Sequence, residues 1–179
     1  GMVYAFKTAG AAAEEGRDLD AVTAVAQKTA DSCRSIGVAL SPCTVPQAGK
    51  PTFEIADDEI EMGMGIHGEP GIWRGKLRTA DEIATEMMER LLADMPLSGG
   101  DKVSVMVNSL GATPPEELYI LYNKVKEALE ASGASIVMPL VGRYATSMEM
   151  AGVSFTICKL DDELESLLKA PCDCAFWRV

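Results

Sequence analysis

At 179 residues, 47% of them hydrophobic, the chain is long enough for one domain with a full core and too short for two ordinary ones. Its 27 acidic side chains against 16 basic ones leave a net charge of −11, which argues against a nucleic-acid backbone or an anionic membrane surface as the main partner. No apolar run approaches the roughly 20 residues that cross a bilayer, and the start, Gly1 to Lys7, lacks the basic region and apolar stretch of a secretory signal. Gly1 before Met2 reads as an expression scar. Five cysteines with a single histidine form no metal-type pairing of CxxC units, so reduced thiols, and with them a cytoplasmic setting, are expected rather than a disulfide framework.

Residues 2–15 are alanine-rich and predict a helix that ends at Gly16. Asp18 or Asp20 caps a second helix, in which Val22, Val25, Ala26, Thr29, Cys33 and Ile36 recur at helical spacing up to Gly37. Residues 38–40 predict a short strand, followed by a loop punctuated by Pro42, Pro46, Gly49 and Pro51. Residues 52–55 and 59–66 read as further strands, the second alternating Ile60, Met62, Met64 and Ile66 against Glu59, Glu61, Gly63 and Gly65. Thr79 to Glu82 forms a capping box for a helix ended by Pro96. Residues 102–108 predict a strand, and Thr113, as cap, opens a helix with its buried stripe on Leu118, Leu121, Tyr122, Val125 and Leu129. Residues 134–141 and 152–160 complete the strands, and 161–169 form a last short helix before Pro171. The expected class is α/β, a mixed sheet of about six strands with packed helices.

The chemistry points to Gly63-Met-Gly-Ile-His67-Gly-Glu69-Pro-Gly71. Four glycines strip side chains from around the only histidine, Pro70 stiffens the turn, and a carboxylate lies two residues away. A neutral imidazole is nucleophilic near pH 7, and its natural target is an electrophilic carbonyl. If Glu69 accepts a hydrogen bond from one ring nitrogen, the tautomer is fixed and the other nitrogen is aimed outward. The spacing serves equally a histidine that packs or hydrogen-bonds in a turn.

Other motifs carry less. Asn108 to Thr113 follows a strand and opens a helix without the Gly-Lys-Ser/Thr of a Walker loop, so turn and capping geometry is favoured over a phosphate site. Cys172 and Cys174, one residue apart without further ligands, read as structural or incidental, and no metal is expected. The methionines fall at core spacings, and Arg74, Lys76 and Arg78 beside Trp73 make the one basic, aromatic patch, read as a solvated loop with the option of meeting a phosphate-bearing partner.

The glycine string, together with Ser35-Ile-Gly-Val-Ala-Leu-Ser-Pro-Cys-Thr-Val-Pro46, Pro51 to Glu54, Asn108 to Pro114 and Gly142-Arg-Tyr-Ala-Thr-Ser-Met-Glu-Met-Ala-Gly-Val-Ser-Phe-Thr156, closely resembles the C-terminal half of the dihydroxyacetone kinase K domain. The resemblance implies a fold of that family, shared with DegV-like proteins. It implies that His67 holds dihydroxyacetone, or a similar short ketone, as a covalent hemiaminal, with Gly65, Gly68 and Gly71 forming the substrate-binding loop and Glu69 orienting the ring. A covalent bond to the carbonyl would discriminate against polyols and fix the terminal hydroxyl for phosphoryl transfer.

The family's K domain has a preceding half that supplies an aspartate and another histidine, and this chain holds no second histidine. The missing half is a separate chain assembled in trans, or was cut away, or the protein is a non-catalytic sensor or coactivator; Met2 after a lone Gly1 favours the first. No kinase activity is expected of the chain alone. The resemblance also implies an L-type subunit carrying ADP or ATP with magnesium, and no cofactor on this chain. A former domain interface left exposed would favour self-association, hence a homo-oligomer.

Overall fold

The computed structural model describes residues 1–66 and 69–179. Among the described residues, five helices and six strands follow in the order α1 (Met2–Glu14), α2 (Leu19–Asp31), β1 (Cys33–Ala39), β2 (Glu59–Met62), β3 (Trp73–Lys76), α3 (Ala80–Asp94), β4 (Lys102–Ser109), α4 (Pro115–Ala131), β5 (Ser135–Gly142), β6 (Gly152–Leu160) and α5 (Asp162–Lys169). The strands form one sheet ordered β3-β2-β1-β6-β4-β5, in which β4 and β5 are parallel and the other neighbours antiparallel. This is the expected mixed α/β sheet.

Alternation along the strands decides which helices cover which face. Val103, Val105 and Val107 of β4, with Phe155 and Ile157 of β6, pack against Ile83, Met87 and Leu91 of α3 and Leu118, Val125 and Leu129 of α4. The intervening Met106 and Cys158 join Cys33, Tyr4 of α1 and Leu164 of α5 in a second cluster. Tyr4 carries a hydroxyl into this layer, and the hydroxyl is satisfied by Ser104 at 2.8 Å. Buried hydroxyls also join α1 to α2, where Thr8 and Thr29 meet at 2.7 Å.

Most helix ends lie where their caps predict them. Asp18 accepts the Ala21 amide, Thr79 and Glu82 form the reciprocal capping box, and Asp161 accepts the Leu164 amide. Five expectations fail. The second helix stops at Asp31, and Cys33 and Ile36 belong to β1, where seven consecutive residues pair with β6; that ladder outweighs a helical spacing which also fits a strand. Residues 52–55 form no strand; next to them Thr44 and Pro51 form an isolated bridge, and the Thr52 amide donates to the Cys43 carbonyl at 2.9 Å. The strand expected over 59–66 ends at Met62, because Gly63 turns the chain at φ 86°. The sixth strand is β3, in the segment read as a loop.

The cap of α4 also differs. Pro114 occupies the cap position without a side-chain bond, while the Thr113 hydroxyl donates to the Gly152 carbonyl at 2.7 Å and accepts the Gly152 amide at 2.9 Å. Thr113 thus joins the start of α4 to the start of β6.

Candidate functional site

β2 pairs with β1 only through Val38–Met62 and Ala39–Glu61. Beyond Met62 the chain leaves the ladder, with the Gly63 amide donating to the Gly37 carbonyl at 2.7 Å, and becomes the glycine loop. Met64 then packs with Ala39, Cys43, Leu110 and Met150, with Ile66 at the margin of that cluster. His67 and Gly68 lie outside the described residues; Gly65, Glu69 and Gly71 lie within them.

The structure brings Gly65 and Glu69 together. The Gly65 amide donates to the Glu69 carbonyl at 3.4 Å, and a Cβ on Gly65 would stand 2.1 Å from a Glu69 carboxylate oxygen. Only glycine leaves room for that carboxylate to fold back under the loop. Gly71 serves the far stem: its Cβ would stand 2.5 Å from the Met62 carbonyl oxygen, and its amide donates to Glu61 Oε1 at 2.8 Å.

Glu61 is the residue that the sequence pattern misplaced. Alternation sets it on the polar face of its strand, but it is 8% exposed. Its second carboxylate oxygen accepts from Arg74 Nε at 3.0 Å and from Arg74 Nη2. Burial pushes the Glu61 carboxyl up, yet the Gly71 amide and the Arg74 guanidinium together hold it below the usual value. One carboxylate therefore ties the loop's exit to β2 and β3.

The basic patch is consumed internally in the same way. Arg74 also donates to the Glu54 carbonyl, Lys76 pairs with Asp58 at 2.6 Å, and Arg78 pairs with Glu86 while stacking 4.5 Å over the Trp73 ring. Trp73 Nε1 donates to Glu86 at 2.7 Å. Through Glu86, Trp73 and Arg78 join β3 and the residues after it to α3.

Two clefts flank the loop's entry. One, of about 420 Å³, runs between Gly63–Ile66 and β1 and has Ser35, Asn108, Ser154 and Thr156 among its polar lining. The other, of about 500 Å³, lies beyond Ile66 and is lined by Phe6, Tyr144, Phe176 and Trp177. The polar lining is organised: Ser35 and Thr156 share a hydrogen bond at 2.7 Å, and Asn108 uses every polar atom of its side chain. Asn108 Oδ1 accepts the amides of Tyr144 and Ala145 at 2.8 and 2.9 Å, while Nδ2 donates to the Ala145 carbonyl at 2.7 Å and to Ser154 Oγ at 3.1 Å. Asn108 and Ser109 are thus internal fasteners: Ser109 Oγ accepts the Gly111 amide at 3.2 Å and donates to the Thr113 carbonyl at 2.8 Å.

The family described as the Dak1 domain matches residues 1–176. The chain is similar to the dihydroxyacetone-binding subunit DhaK of the PTS-dependent dihydroxyacetone kinase 2 of Listeria innocua, at 47% identity over 179 residues, covering all of this chain and 54% of that protein. It is similar to L-erythrulose 1-kinase of Mycolicibacterium smegmatis at 42% identity, over 99% of this chain and 32% of the kinase. Among solved structures, the dihydroxyacetone kinase operon co-activator DhaQ superposes with a TM-score of 0.86 at 33% identity, over 94% of this chain and 53% of that one. The chain spans about half the length of the DhaK relative and of the co-activator.

Proposed function

The chain belongs to the Dak1 domain family, and on that footing we propose that it is the substrate-binding component of a dihydroxyacetone kinase. The observation that carries this reading is the 47% identity, across the whole chain, to a dihydroxyacetone-binding subunit. The covalent step is assigned to His67. A lone pair of the neutral imidazole adds to the ketone carbon, the carbonyl oxygen takes up a proton to become a hydroxyl, and the ring nitrogen gives up its proton, leaving a hemiaminal. Glu69 orients the ring, and Gly65, Gly68 and Gly71 let the loop backbone close on so small a substrate.

The remaining parts of the reaction are assigned elsewhere. A partner chain carrying the other half of the K domain supplies the acid and base, and an L-type subunit carries ADP or ATP with magnesium. The protein works in the cytoplasm. The similarity to an erythrulose kinase extends the substrate class to four-carbon ketoses.

Intact-protein mass spectrometry under native conditions tests the hemiaminal. Incubation with dihydroxyacetone, with the partner half present, is expected to add the mass of one whole ketone without loss of water, and glycerol is expected to add nothing. The adduct disappears in His67→Ala; an adduct that survives this substitution overturns the assignment.

A second reading, a dihydroxyacetone-responsive coactivator without phosphoryl transfer, is favoured by the superposition on the co-activator structure. Phosphorylation of dihydroxyacetone by the reconstituted subunits and a phosphoryl donor separates the two. A ketone adduct with no turnover supports the coactivator.

A further inference from the structure

Cys33 and Cys158 stand directly opposite each other on β1 and β6. The neighbouring position identifies the kind of pairing. The Lys159 amide donates to the Ser32 carbonyl at 2.9 Å, so Ser32 and Lys159 are a hydrogen-bonded pair and Cys33 and Cys158, one step along, are a non-hydrogen-bonded pair. That is the narrower site of an antiparallel ladder, with Cα atoms about 4.5 Å apart and side chains close. A disulfide takes Cα separations of about 4.4–6.8 Å, so the ladder already holds the two residues within bonding range. Both side chains lie in the same cluster, with Tyr4 and Leu164.

We propose that Cys33 and Cys158 form a buried dithiol redox site, oxidised by a hydroperoxide to a disulfide that joins β1 to β6. The Cys33 thiolate attacks the peroxide oxygen; the O–O bond breaks, Cys33 becomes a sulfenic acid, and the departing hydroxide or alkoxide is protonated. Cys158 then gives up its proton and attacks the Cys33 sulfur, forming the S–S bond and releasing the sulfenic hydroxyl as water. Two thiols lose two electrons and two protons, and one hydroperoxide is reduced to water and an alcohol or a second water.

The surroundings set the order of events. The neighbouring Cys158 thiol holds Cys33 below the ordinary thiol value against the effect of burial, whereas Cys158 is pushed well up, first by Cys33 and then by burial. Cys33 is also the more accessible of the two, 8% exposed against 1%. It is next to Arg34 and Ser35, which line the polar cleft, so a small oxidant has a short approach. The other cysteines are differently placed. Cys43 has hydroxyls at its sulfur, Ser147 and Thr52 each at 3.4 Å, and Cys172 and Cys174 flank Asp173 of the isolated bridge to Arg178.

The test uses the full chain, treated with hydrogen peroxide, alkylated at its remaining thiols, digested without reduction and mapped by mass spectrometry. The expected product is a peptide pair linking Cys33 to Cys158, two hydrogens lighter than the dithiol form. Closing so long a loop is expected to raise the Tm by about 10 °C, a gain removed by a thiol reductant. Cys33→Ser and Cys158→Ala both lose the link and the peroxide-dependent Tm shift. The proposal is overturned if the only disulfide joins Cys172 to Cys174, if Cys33 proceeds to a sulfinic acid with Cys158 still reduced, or if Cys33 stays reduced while Cys174 is oxidised.

Discussion

The Glu61 carboxylate accepts the backbone amide of Gly71 at 2.8 Å, closing the base of the glycine loop across ten residues of chain. Its other oxygen is taken by Arg74, an exposed side chain that keeps the Glu54 carbonyl as an acceptor, so removing the carboxylate strands chiefly the Gly71 amide. Glu61→Ala is expected to cost about 2–3 kcal/mol, and Glu61→Gln, which keeps an acceptor for Gly71, about half of that. Urea denaturation measures both. Equal losses for the two variants would show that the Gly71 contact contributes nothing.

The same carboxylate gives the fold an acid limit. Its folded pKa lies below that of the unfolded chain, near 4.3. Its contribution to stability is therefore fully present above the unfolded value and is lost as pH falls through the folded one. Glu163, held down first by Lys28, and Glu165, held down first by Lys102, act in the same direction. Stability is expected to be nearly flat from about pH 7 to 5 and to fall steeply below about pH 4. Denaturant midpoints across that range check it, with a shallower decline in Glu61→Gln.

Asn108 predicts a large loss from a conservative-looking change. Asn108→Ala leaves the amides of Tyr144 and Ala145 without their acceptor beneath the β5–β6 connection, at a cost of about 3 kcal/mol. Asn108→Asp keeps the acceptor but loses the donation to the Ala145 carbonyl, and brings a carboxylate into a site where asparagine is 2% exposed. Chemical denaturation of both is expected to show aspartate at least as damaging as alanine.

Gly65→Ala separates the fold from the chemistry. The new methyl meets the Glu69 carboxylate, which can swing away, and presses on its Cβ at 3.1 Å, which needs a shift of only a few tenths of an ångström, so the Tm is expected to stay within about 3 °C of wild type. Displacing Glu69 should nonetheless weaken dihydroxyacetone capture on the order of tenfold if that carboxylate orients His67. Titration of the ketone adduct by native mass spectrometry reads this, and unchanged capture would remove Glu69 from the mechanism.

Periodicity and caps made the helices and the sheet class legible: Asp18 and Thr79 start helices as their side-chain chemistry predicts. What escaped was pairing. Cys33 and Ile36 fit a helix and a strand alike, and only β6, far along the chain, selects the strand. Trp73 to Lys76 carries alternate charges and one aromatic ring, too little apolar signal to announce a strand, and becomes one because Glu61 and Glu86 receive its side chains. At the glycine loop the residue types were readable, whereas the support from Glu61 was hidden by an alternation that set it toward solvent. Thr113 was assigned as a helix cap because local spacing carries no trace of Gly152.

The central position of β6 governs how the chain must assemble. Within these 179 residues β1 is made before the other strands, yet its longest partner, β6, is made after them. Until residue 152 and those after it emerge, β1 to β3 have no sheet to join, and β4 and β5 wait on the other side of the gap. Such distant pairing makes folding slow and leaves strand edges bare during synthesis. A chain that stops before Gly152 therefore lacks the piece that makes two half-sheets into one.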